Sequence, residues 1–155
     1  MGILASFALI LGMMSQAVAV PADWGDVLSF EEQAKISREK SVDGRTKIYR
    51  AASIRIQKNL QQFVSKKEFE SVPDTLKLWT TLLAKSLEDI ETNLQAKKKP
   101  RSLINYEIQI RKTIVDIQGY KIAAPVDQQD AFDSCLAEAE KVRKRFVNIL
   151  FELKS

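Results

Sequence analysis

The chain has no histidine, and of its 155 residues one is cysteine, five are glycine and four are proline. Without histidine there is no imidazole zinc site, no C-x-x-C-H haem attachment and no histidine-dependent triad. With one cysteine no disulfide closes within the chain, so stability must come from an ordinary core. Scarce glycine and proline, beside 45% hydrophobic residues, exclude collagen-like and disordered classes. No short segment alternates cleanly enough to argue for a strand, and no internal repeat or low-complexity tract is present.

The N-terminus is apolar over residues 3–14, and no ionisable side chain precedes Asp23. Ala17, Val18 and Ala19 then supply the small residues that a signal peptidase reads, which predicts a signal peptide over residues 1–19. Its n-region lacks the usual Lys or Arg. Two other readings stay open: an uncleaved anchor, because residues 3–22 are about the ~20 that a spanning helix needs, and myristoylation, because Met1, Gly2 and Ser6 fit the acylation pattern. No cysteine stands near position 20, which excludes a bacterial lipoprotein. The expected location is the bacterial periplasm or exterior, with membrane anchoring as the alternative.

Beyond that segment, Pro73, Pro100 and Pro125 separate long stretches of helical periodicity. Helices are expected at about residues 44–65, 74–97, 101–123 and 127–153, after a shorter one at 29–41. Asp74 and Asp127 are the expected N-caps. The first long helix aligns Ile48, Tyr49, Ala52, Ile56, Leu60 and Phe63, and the second Leu76, Trp79, Leu83, Leu87, Ile90 and Leu94. The last aligns Phe132, Cys135, Leu136, Ala139, Val142, Phe146 and Ile149, so Cys135 reads as a small buried hydrophobe. Short links favour antiparallel neighbours, so the expected fold is an all-α, up-down-up-down four-helix bundle over residues 44–155. An N-terminal segment with a short helix, residues 20–43, precedes it. Net charge alternates in sign from segment to segment within a total of +4, which disfavours mispairing of the helices.

The third long helix differs from the others. It carries two apolar stripes, Leu103, Ile110, Ile114 and Ile117 on one side and Ile104, Ile108, Val115 and Ile122 on the other. Glu107, Arg111 and Gln118 form a polar line between them. That line suits either an inter-helix ligand cleft in which Arg111 holds an anion, or an ordinary surface pair. Gly119, in the same helix, suggests close approach by a neighbouring helix, or else a tolerated defect. Ile54 and Phe151 point away from the stripes of their own helices and mark a possible partner surface, unless the short helix covers Ile54 with Phe30, Ala34 or Leu28.

Catalysis and metal binding find little support. Glu31 with Glu32 and Glu88 with Asp89 are adjacent rather than facing carboxylates, and Asp127, Asp130 and Asp133 lack the glycine turn of a calcium loop. No catalytic residue, cofactor or metal is expected. Lys97, Lys98, Lys99 and Arg101 suit solvated loops, or contact with an anionic lipid or polymer. Nucleic acid is not an expected partner, since no binding motif is present and the aromatics lie in core stripes. The sequence thus reads as an exported, non-enzymatic helical module that binds another macromolecule, a protein of the cell envelope. The alternative is a small-ligand-binding or catalytic bundle using the cleft around Glu107, Arg111 and Gln118. Intact mass of the exported protein is expected to place the mature N-terminus at Val20; residues 1–19 retained in the membrane fraction would establish the anchor instead.

Overall fold

The structure, a computed structural model, describes residues 24–95 and 99–153. The expected signal segment, Lys97 and Lys98 lie outside the described residues. The described residues form five α-helices and no strand: α1 Phe30–Arg38, α2 Val42–Lys66, α3 Val72–Asn93, α4 Arg101–Ala123 and α5 Gln129–Glu152. The protein is all-α, and its helix packing is compatible with a bundle. The main contacts join α2 to α3, α2 to α4, α4 to α5 and α3 to α5, while α1 lies against α2.

Local chemistry sets the helix ends. Ser29 and Glu32 form a reciprocal capping box, the Glu32 amide donating to Ser29 Oγ (3.2 Å) and the Ser29 amide to Glu32 Oε2 (2.8 Å). Ser41 Oγ accepts the Gly44 amide at 3.0 Å and starts α2. Lys67 ends α2 in the left-handed conformation (φ 58°), its amide reaching the carbonyls of Phe63 and Val64. Asp74 and Asp127 are not the expected caps. A single turn of 3-10 helix, Phe69–Ser71 or Val126–Gln128, leads into each of α3 and α5, the Phe69 carbonyl taking the Val72 amide and the Val126 carbonyl the Gln129 amide. Helix α3 also stops earlier than expected, at Asn93, whose side chain donates to the Asp89 carbonyl at 2.9 Å.

The stripes of α2, α3 and α5 meet in one core with Leu103, Tyr106, Ile110, Ile114 and Ile117 of α4. Two polar pairs lie inside it: Trp79 Nε1 donates to Ser53 Oγ (2.8 Å), and Ser86 and Tyr106 share a hydroxyl hydrogen bond (3.0 Å). Tyr106 packs edge-on to Phe146 with ring centroids 5.4 Å apart. Cys135 is buried as expected, and burial pushes its thiol up to about 12, so thiolate is negligible at neutral pH.

The N-terminal segment closes the core differently from the expectation. Trp24, Val27, Leu28 and Ile36 enter it, whereas Phe30 is 90% exposed and Ile54 is only half-buried. Arg55 of α2 fastens this segment, donating to the Val27 carbonyl (3.0 Å) and to both carboxylate oxygens of Glu32 (3.1 and 2.8 Å).

Gly119 corrects a further expectation. Among the described residues nothing lies within 4 Å of the place a Cβ would occupy, so no described helix approaches it closely. Gly119→Ala is therefore expected to stabilise the fold by about 0.5–1 kcal/mol, the helix-interior difference between the two residues. Thermal denaturation should show a melting temperature higher by roughly 2–4 °C.

Candidate functional site

Glu107, Arg111 and Gln118 do not form one cleft. Glu107 is buried at the α4–α5 contact, and its partner is Arg143 of α5 at 3.1 Å rather than Arg111. Arg143 also donates to Glu140 at 2.9 Å, and these carboxylates hold its guanidinium above its ordinary value. Arg111 lies one turn further along α4 and is exposed, without a side-chain partner among the described residues. It lines a surface groove of about 380 Å³ with Lys99, Ile104, Glu107, Leu150 and Phe151. Gln118 is exposed and outside that groove. The groove thus presents cations above an apolar wall, which suits an amphiphilic anion or an apolar side chain flanked by carboxylates.

The second apolar stripe of α4 faces solvent. Val115 is 61% and Ile122 87% exposed, Ile104 is partly exposed and Ile108 half-buried, and the stripe lies to one side of the face carrying Leu103, Ile110, Ile114 and Ile117. Phe151, 81% exposed, adds its ring to the groove wall. Arg143 and Arg145 of α5 contribute little free charge, because Arg143 holds Glu107 and Glu140 while Arg145 pairs with Glu91 and Glu152.

A buried ionic network escaped the sequence reading. Arg45 of α2 is fully buried and donates through Nε to Asp89 Oδ2 of α3 (2.9 Å) and through its second nitrogen to Oδ1. Tyr49 Oη donates to the same carboxylate at 2.5 Å and Asn93 Nδ2 at 3.0 Å. Desolvation pushes the Asp89 carboxyl up, and these donors oppose it. The third guanidinium nitrogen, Nη1, is buried without a partner among the described residues. Trp24 stacks on Tyr49 (5.3 Å between centroids) and carries the Lys85 ammonium over its face at 5.7 Å. Arg45 was legible only as an extension, one turn back, of the stripe through Tyr49 and Ala52. A cation at that place reads as solvated unless its acidic partner is known.

Such a network can hold helices in register. Among the described residues no group of three or more Cys, Asp or Glu side chains could hold a metal ion. No described helix is long and apolar enough to cross a membrane. Comparison with protein families, curated proteins and solved structures finds no match.

Removing one partner of the Arg45–Asp89 pair leaves an uncompensated buried charge. Arg45→Met and Asp89→Leu are each expected to destabilise the fold by about 3–5 kcal/mol, and the double variant by clearly less than their sum. Urea denaturation of the four proteins checks this; additive losses would show that the two charges are not coupled.

Proposed function

We propose that this chain is an exported, non-enzymatic helical module that binds another macromolecule, a protein of the cell envelope. One observation carries the reading: a continuous buried core coexists with large apolar side chains turned to solvent, among them Val115 and Ile122 of α4 and Phe151 of α5. Buried ionisable groups serve the fold, since Asp89 and Glu107 are each held by an arginine. Export rests on residues 1–19 as read from the sequence.

The scaffold in this reading is the up-down-up-down bundle. Arg45 beside Asp89 and Ser53 beside Trp79 support opposite directions for α2 and α3. Glu107 beside Arg143 and Lys121 beside Asp133 support the same for α4 and α5. Leu76 beside Cys135 and Glu91 beside Arg145 support a common direction for α3 and α5. In this arrangement α3 and α4 sit diagonally.

A second reading, a small-ligand site, is favoured by the groove that brings Arg111 and Lys99 over Ile104 and Phe151. Affinity purification of the tagged chain from envelope extract, followed by native mass spectrometry, separates the two. A stoichiometric protein partner is expected. A small amphiphilic anion retained by the purified protein, and lost in Arg111→Gln, would favour the ligand site instead.

A further inference from the structure

We propose that the outer face of α4 is a docking seam for one acidic amphipathic helix of a partner protein. This rests on the reading of the chain as a protein-binding module and names the surface and the partner chemistry. Along one flank of α4, beside its core face, run Ile104, the half-buried Ile108, Arg111, Val115, Gln118 and Ile122, spaced alternately four and three apart. That is the heptad spacing by which one helix presents a continuous seam to another. It spans about 27 Å at 1.5 Å per residue, a length matched by a partner helix of about five turns.

Charge selects the occupant. Lys99, Arg101, Arg111 and Lys112 border or interrupt the seam, and none of them has an ion-pair partner among the described residues. Of the acidic residues of α4, Glu107 holds Arg143, and Asp116, which accepts from Gln57 Nε2 at 2.6 Å, lies off the seam. A second copy of the chain would meet this face with the same charges. Parallel pairing stacks Arg101 on Arg101 and Arg111 on Arg111, and antiparallel pairing centred on the seam brings Arg111 and Lys112 near their own copies. A partner with carboxylates along its flanks, and one in the seam opposite Arg111, neutralises them.

The interruptions also argue for a helix and against a lipid surface. Arg111 and Gln118 stand inside the apolar line, one heptad apart. In a membrane both would be pressed into the acyl boundary beside Ile108, Val115 and Ile122. In a helix pair a polar residue at a seam position fixes register and partner choice.

The test uses the full chain and a fluorescein-labelled synthetic helix of about three heptads, with Leu in the seam, Glu on the flanks and one Glu placed to face Arg111. A scrambled peptide of the same composition is the control. The acidic helix is expected to bind at least about tenfold more tightly than the scrambled one, and Val115→Glu and Arg111→Glu each to weaken it about tenfold or more. Arg111→Glu should recover binding to a peptide carrying Lys at the facing position. Because Val115 and Arg111 are exposed, both variants should keep the parent melting temperature, which separates lost docking from lost fold. Equal binding of the scrambled peptide, or no effect of Val115→Glu, overturns the proposal. So does a concentration-dependent dimer abolished by Val115→Glu, and so does binding to phosphatidylglycerol vesicles without binding to the peptide. A photo-crosslinker at Val115 that stays silent, while one at Phe30 captures a partner protein, would remove the α4 seam and leave the binding-module reading intact.

Discussion

Two opposite charges buried away from water set the conditions for the rest of this molecule. Arg45 and Asp89 lie in the interface of α2 and α3, and a slip of either helix by one residue would leave both ions unpaired in a low-dielectric surrounding. Hydrophobic stripes alone tolerate such slips far better, since leucine and isoleucine accept many partners. The pair therefore makes one register much better than its neighbours. It also explains the N-terminal segment: Trp24 stacks on Tyr49, whose hydroxyl donates to the same carboxylate, so a segment that opens the described chain completes a polar cluster two helices away.

That dependence explains what was legible in the sequence and what was not. Stripes repeating through α2, α3 and α5 were readable because each helix buries a single face, and Cys135 could be placed in the core from spacing alone. Arg45 could not, because its burial depends on Asp89 more than forty residues away. The same limit applies to Glu107. An acid and a base four apart on one helix suggested a local pair, but the partner came from α5, where Arg143 approaches the buried side of α4 while Arg111 projects outward. Side-chain direction around a helix decided this, since Glu107 lies nearer the buried face.

The N-caps show a related point. Asp74 and Asp127 follow prolines and precede apolar periodicity, which is the usual local signature of a helix start. Short 3-10 turns ahead of α3 and α5 satisfy the first amides by backbone bonds, leaving both acids to oppose the helix dipoles only. Local signals thus located the helices correctly while misassigning the groups that end them.

Helix α4 is the place where folding alone does not account for the sequence. Its core face, Leu103, Tyr106, Ile110, Ile114 and Ile117, is sufficient to bind it to α2 and α5. Val115 and Ile122 on its flank keep much of their surface in water, so they add little to the stability of the isolated chain and increase its tendency to associate nonspecifically. Arg111, Lys112 and Arg101 beside them counter that tendency, because an apolar line bordered by one sign of charge repels its own copies. The two halves of the structure are therefore independent in physical terms. The ionic cluster between α2 and α3 fixes how the chain folds, and the outer face of α4 can vary in charge and apolar content with small effect on that fold. A surface so uncoupled from stability is where binding specificity is set with least disturbance to the scaffold.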